Sequence, residues 1–346
     1  MDAAEGILMG VVRWSLMLTL CSIAACVSTP PAPPLPQLQW PAAPEAPRVS
    51  YLQSIGQAED LGIRKGVLER LGELLFGAED LHLVRPMAVA EAGNGLYVAD
   101  PGVRGVHRFD RAAGKHVVIR GAGGRALPSA VGLTPGLAGE VFVTDSSLRK
   151  VLVIKPDAEV AVEVPLDTEL RQPTGIAFDT RSNRLYVADT AAHEVLVFGR
   201  DGRLAARLGR RGQAEGEFNF PTLLWCDAAG RLYVTDAMNF RVQIFDDAGR
   251  FLSAFGRHGN GSGDMARHKG VATDSYGHIY VVDGLLHAVQ VFDDHGRLLM
   301  GVGGLGQDRG EFWLPAGIFI SADDTIYVAD AYNRRVQVFR YVGGAT

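Results

Sequence analysis

Three scarcities bound the reading of this chain before any motif is considered. Cysteine is nearly absent, with three residues at positions 21, 26 and 226, too few for a disulfide framework. An excess of one charge is also missing. The 34 Lys and Arg stand against 39 Asp and Glu, a net charge of −5, which counts against a nucleic-acid binder because such proteins are more often strongly basic. Long apolar runs are missing too. Trp14 to Ala25 covers 12 residues, short of the roughly 20 that a membrane-spanning helix needs and suited to the apolar core of a secretory signal. What is plentiful is glycine, 42 residues, within a chain that is 47% hydrophobic. That combination supplies many turns and ample material for one large core.

Arg13 is the only basic residue ahead of the apolar run, and Asp2 and Glu5 offset it. Translation from Met9 in place of Met1 would leave Arg13 and the amino group unopposed. The run closes on Ile23-Ala24-Ala25-Cys26, which resembles the bacterial lipoprotein signal: an aliphatic residue, two small residues and the cysteine that becomes lipidated. The resemblance implies removal of residues 1–25 and a diacylglycerol thioether on Cys26, usually with a third acyl chain, and several buried chains give stable anchoring where one does not. Val27 follows, not the Asp that tends to retain such proteins at the inner membrane of enteric bacteria, so the outer membrane is favoured. On this reading only Cys226 stays in the folded domain, and no intramolecular disulfide is possible. It lies in the apolar stretch Leu223-Leu224-Trp225-Cys226 and is read as a buried, inert thiol. Residues 26–47 carry eight prolines, a composition that favours an extended, semi-rigid polyproline II spacer.

The rest of the chain repeats. Leu232-Tyr233-Val234-Thr235-Asp236 recurs in varied form, ending at Asp100, Asp145, Asp189, Asp236, Asp283 and Asp330, with spacings of 45, 44, 47, 47 and 47 residues. Each repeat reads as four short strands separated by Asp-, Asn- and Gly-rich turns. Six such units over residues 48–346 predict an all-β, six-bladed β-propeller. The sixth unit ends without a fourth strand, while Tyr51–Gly56 matches the fourth strand of unit four, Phe251–Gly256. Pairing Tyr51–Ile55 with Arg335–Phe339 would close the ring and cover an open edge. Between that strand and the first blade, Ile63, Val67, Leu68, Leu71, Leu74 and Leu75 recur at helical spacing, which predicts one short inserted amphipathic helix over 62–77. Packing on the propeller surface is the simpler role for it. Arg64, Lys65 and Arg70 keep docking on a membrane or partner open.

Gly310-x-Phe312-x-x-Pro315-x-Gly317-Ile318, then Ile326–Asp330 and Asn333-x-Arg335-Val336-Gln337-Val338-Phe339, resembles the NHL repeat. Blade 4 carries Gly216, Phe218, Pro221, Asn239 and Arg241 in the same places, and the likeness extends from Val84 to about Arg340. Only blades 4 and 6 show the whole motif. The recurrent Asp is read as scaffolding: it accepts hydrogen bonds from the turn after the second strand and pairs with the following Arg.

In the propellers this chain resembles, the loops entering each inner strand and the turns after each second strand share one face around the axial channel. On that face the sequence places Arg85, Gln172 and Arg267, then His268 and Lys269 where blade 6 has Pro315 and Ala316. The turns add His193, His287 and Arg334. Bases outnumber acids there, which suggests a surface for an anionic group. Propeller relatives also include a lyase using zinc held by histidines, and hydrolases of lactones or esters using a metal held by channel carboxylates. Glu91 is the nearest carboxylate in the inner strand of blade 1, and no acidic metal cage is evident. His193, His268 and His287 could converge on a metal from three loops, though nothing in their spacing demands it. Gly121-Ala122-Gly123-Gly124 lacks the Lys-Ser/Thr of a phosphate loop and reads as a turn. The sequence therefore favours an envelope-anchored binding or scaffolding propeller whose partners are envelope proteins or anionic glycans, with no catalytic residue, metal or cofactor assigned. A metal-dependent lyase or hydrolase at the channel mouth is the alternative. RNA binding, known in some animal NHL proteins, ranks low for an exported chain.

Overall fold

Short apolar runs interrupted by Asp, Asn and Gly form strands joined by tight turns, and the sheets follow the repeat. A computed structural model describes residues 37–46, 48–64 and 81–343. Blade 4 consists of Pro221–Cys226, Leu232–Asp236, Arg241–Phe245 and Phe251–Phe255, hydrogen-bonded in that order. Blades 3 and 5 have the same plan, with inner strands Pro173–Asp179 and His268–Thr273. Blades 1 and 2 begin with Ala88–Ala92 and Ala130–Pro135. Their outer strands, Lys115–Gly121 and Val160–Glu163, pair in parallel through Val160 with Arg120 and Ala161 with Gly121. The two blades thus share one eight-stranded sheet, a join the repeat does not announce. It covers edges that would otherwise be free to pair with another chain.

Blade 6 takes Ile318–Ile320, Thr325–Asp330 and Arg335–Tyr341 from the end of the chain and Val49–Ile55 from its beginning. Tyr51 stands opposite Phe339, Ser54 opposite Gln337 and Ile55 opposite Val336, the closure the sequence predicts. Gln39–Trp40 adds a further short strand against Val49 and Ser50, and Trp40 packs edge-on to Phe339 with ring centroids 5.7 Å apart. The stretch read as spacer thus contains a strand of the blade 6 sheet. Inner strands of neighbouring blades touch all round the axis, blade 6 against blade 1 included.

The leader, Cys26 and the spacer up to residue 36 lie outside the described residues, as does the amphipathic segment from residue 65 to 80. At its start, Gly62 adopts a left-handed conformation (φ 74°) and ends a short 3-10 turn over Ala58–Leu61, so no helix begins at residue 62. Among the described residues no helix is long and apolar enough to cross a membrane.

Between blades the core is built from the second strands. Tyr97, Tyr186, Tyr233, Tyr280 and Tyr327 are all buried, each side chain of this size contributing about 2–3 kcal/mol on burial. The inner strands approach one another most closely at a ring of small residues. A Cβ on Gly175 would stand 2.2 Å from the Thr222 carbonyl oxygen, and one on Gly317 would stand 2.5 Å from that of Met87. Glycine is needed there for space between neighbouring backbones. Hydroxyls tie consecutive blades at this level: Thr190 donates to the Pro221 carbonyl (2.6 Å), Thr174 to that of Thr222 (2.8 Å) and Thr235 to that of Lys269 (2.8 Å).

Candidate functional site

One face of the ring, here the entry face, carries the loops leading into the inner strands and the turns after the second strands. It is organised by the six recurrent aspartates, all essentially buried. Asp236 accepts from the Asn219 backbone (2.7 Å), Asn239 (2.8 Å), Arg241 Nε (2.9 Å) and Gln243 (3.1 Å). Asp330 repeats the set with Trp313, Asn333, Arg335 and Gln337. Blades without that Asn and Arg use backbone donors: Asp283 accepts from the N–H groups of Ala266, Arg267, Leu285 and Leu286. Each carboxylate thus staples an entering loop to its own blade and braces the following turn. The turn ends on a residue held in the left-handed region, Arg104, Arg149, His193, Phe240, His287 or Arg334, with φ between 53° and 58°.

The residues singled out from sequence fall on this face. The backbone N–H groups of Arg85, Gln172 and Arg267 bond to Asp100, Asp189 and Asp283, and their side chains are exposed. Arg334 is exposed as well. The three histidines are not brought together as a metal site; each has one ring nitrogen bonded to the backbone of the adjoining blade. His193 Nδ1 accepts from the Phe220 N–H (3.1 Å), and its ring lies 4.4 Å from that of Phe220. His287 Nδ1 accepts from the Leu314 N–H (3.1 Å). His268 is buried, with Nε2 3.0 Å from the Arg241 carbonyl, and burial pulls its pKa down, so it is held neutral. These rings join blades to their neighbours, and among the described residues no group of three His, Cys, Asp or Glu side chains is placed to hold a metal ion.

Lys269 differs from the histidines. Its ammonium makes no hydrogen bond or ion pair among the described residues, and burial, with Arg267 adding repulsion, lowers its pKa to about 8. Beside the bases, blades 4 to 6 expose an apolar arc, in which Met238, Leu285, Trp313 and Tyr332, which the sequence did not single out, join Phe220; each is 39–56% accessible.

A concavity opens on the opposite face, between the turns that join first and second strands. It begins at the glycine ring and encloses about 530 Å³, lined mainly by inner-strand residues including Leu133, Phe178, Trp225, Phe319 and Glu91. Trp225 shapes it. The indole donates to Thr273 Oγ1 (2.9 Å) and crosses blade 5 to meet Phe319 edge-on at 5.7 Å, which is possible because blade 5 has Ala272 at that level. A small residue flanked at the same register by two large aromatics was the available signal. Burial pushes the Glu91 carboxyl up against the opposing pull of Arg111, and Tyr327 bonds to it. Cys226 also lines this cavity, half-buried, with its thiol pushed far up by burial and so protonated. Ala122–Gly124 forms a 3-10 turn after the strand that ends at Gly121, as the sequence suggests.

A model of the family described as NHL repeat matches residues 170–198 and 312–339, which are blades 3 and 6. Blade 4, which the motif reading put beside blade 6, is not matched. It keeps the Asp-Asn-Arg-Gln network but has Leu223 where blades 3 and 6 have Gly175 and Gly317. No curated protein matches the chain in sequence. Similar solved structures include virginiamycin B lyase from Staphylococcus aureus, 12% identical over 75% of this chain and 96% of that one, with a TM-score of 0.54. An auxiliary nutrient binding protein from Bacteroides thetaiotaomicron is 12% identical over 76% of this chain and 70% of that one, with a TM-score of 0.61. A proposed gluconolactonase is 13% identical over 76% and 91%, with a TM-score of 0.58. At such identities the likeness is one of fold alone. The chain is a six-bladed β-propeller that carries NHL repeats.

Proposed function

We propose that this propeller is an envelope-anchored binding module that engages an anionic partner, an acidic protein segment or a glycan, through its entry face. The composition of that face carries the reading. Exposed Arg85, Arg104, Arg149, Arg267 and Arg334 stand beside the exposed Phe220, Trp313 and Tyr332, while the recurrent carboxylates beneath them are buried and satisfied. Arginine with aromatic side chains on a rigid frame is the composition that concentrates binding energy. The auxiliary nutrient binding proteins support the reading by analogy of fold. Polygalacturonate and polyglutamate serve as defined glycan and peptide probes. Reversing Arg85, Arg149 and Arg334 to Glu weakens binding of at least one of them about tenfold at low salt, three exposed charges being worth a few tenths to one kcal/mol each. Equal affinity of the triple variant and the parent would overturn the reading.

The competing reading is a metal-dependent lyase or hydrolase at the channel mouth, supported by the lyase and lactonase neighbours in fold. Stoichiometric zinc lost on either His193→Ala or His287→Ala would favour it.

Lipidation of Cys26 is the proposed means of anchoring, with the outer membrane as the site. Cys26→Ser abolishes fatty-acid labelling and releases the chain from membranes. Labelling that persists in that variant would refute the anchor.

A further inference from the structure

We infer that the axial mouth of the entry face contains a small-oxyanion site centred on the Lys269 ammonium, a subsite that takes the carboxylate or phosphate of the bound partner. It rests on the binding reading above and makes it specific. Lys269 occupies the second position of its inner strand, where the other five blades have Met87, Val131, Thr174, Thr222 and Ala316. Blade 5 alone thus places a charge in this ring. Room for it has been made as well. The residue after the recurrent Asp is Pro101, Ser146, Thr190, Ala237 and Ala331 in the other blades but Gly284 in blade 5. Gly284 has no left-handed backbone to account for the choice, and a Cβ there would stand 3.3 Å from the Pro315 carbonyl oxygen and 3.4 Å from Lys269 Cε, taking up space beside the side chain.

No carboxylate is in hydrogen-bond or ion-pair contact with the ammonium among the described residues. Asp283 is the nearest carboxylate acting on Lys269, and its two oxygens already accept from four backbone N–H groups, with Arg267 the neighbouring cation. His268, next in the chain, is held neutral. The flanking strands bring Thr222 and Ala316, neither of which titrates; Thr235 of blade 4 bonds to the Lys269 carbonyl, and Gly270 of blade 5 donates to the Ala316 carbonyl. Thr222 Oγ1 is itself buried without a hydrogen-bond partner. A buried hydroxyl left unpaired and a largely buried ammonium left unpaired are each unfavourable. A single oxyanion at this mouth satisfies both, with the exposed Arg267 guanidinium available at the rim.

The anion binds the ammonium form. For a carboxylate ligand, ionised above about pH 5, affinity is therefore level from there to about pH 8 and falls as pH rises further, while bound anion lifts the pH at which Lys269 titrates. The test uses the soluble chain with inorganic phosphate, acetate and glucuronate, following the Lys269 side-chain NMR signal and calorimetric affinity. At least one ligand moves the Lys269 titration upward and saturates. Lys269→Met, a side chain already accommodated at the equivalent Met87, weakens that ligand at least about thirtyfold, the effect of removing one partner from a buried charge pair. Thr222→Val, which leaves the charge in place, weakens it several-fold while preserving the melting temperature. Phosphate alone binding would point to a phosphorylated partner, and glucuronate or acetate to a uronate or acidic side chain. No movement of the Lys269 signal with any of the three, or undiminished affinity in Lys269→Met, would overturn the site. Either result leaves the polymer-binding comparison on the outer arginines to be judged separately.

Discussion

At the scale of single residues, the recurrent Asp does more for the fold than any other side chain. In blade 4 one buried carboxylate organises a loop N–H, an amide, a guanidinium and a second amide, all within 3.1 Å of Asp236. It also holds a turn whose last residue, Phe240, sits at φ 54°, a conformation costing a non-glycine residue about 1–2 kcal/mol. Asp236→Ala leaves those donors unpaired and releases the turn. The expected loss is about 3–5 kcal/mol, that of breaking a buried ion pair from one side, measured by denaturant unfolding of the soluble chain. A loss below about 1 kcal/mol would show that the backbone, not the carboxylate, holds the loop.

At the scale of elements, what could be read in the sequence was whatever repeats. The period of 44 to 47 residues marks every second strand, and the likeness of Tyr51–Ile55 to Phe251–Phe255 identifies the missing strand because strand identity resides in local pattern. The parallel join between Val160–Glu163 and Lys115–Gly121 could not be read, since it depends on two outer strands meeting across 40 residues with no turn to announce it. The site was legible in location and not in detail. His193, His287 and His268 looked like spare ligands, but each is bonded to a backbone group 27 residues away in the adjoining blade. A backbone partner leaves no trace in residue type. Lys269 could be picked out because it breaks the repeat, whereas its vacancy of partners depends on Asp283 being fully engaged elsewhere. The cavity needed Trp225 to lean over Ala272, a packing outcome across three blades.

At the scale of the whole molecule, stability depends on the ring being closed by its own beginning. Val49–Ile55 supplies the fourth strand of blade 6, with Val49, Ser50 and Ile55 buried. Removing it uncovers the edge of Arg335–Tyr341 and the core face of the last blade. Burial of Val49 and Ile55 alone is worth about 4 kcal/mol, a large share of the 5–15 kcal/mol typical of a folded domain. A chain beginning at residue 56 should therefore melt at least about 10 °C below one beginning at residue 38, and should associate through the exposed edge. A chain beginning at residue 47, which loses only Gln39–Trp40 of the sheet, should fall much less. Closure by strand pairing also predicts complementation: a peptide spanning residues 48–56, added to the shortened chain, re-forms the fourth strand and restores the melting temperature in a concentration-dependent way, by β-strand addition and mass action. If the shortened chain melts where the longer one does, or the peptide has no effect on a destabilised chain, then the ring is held by contacts between inner strands and the terminal strand is an ornament on its rim.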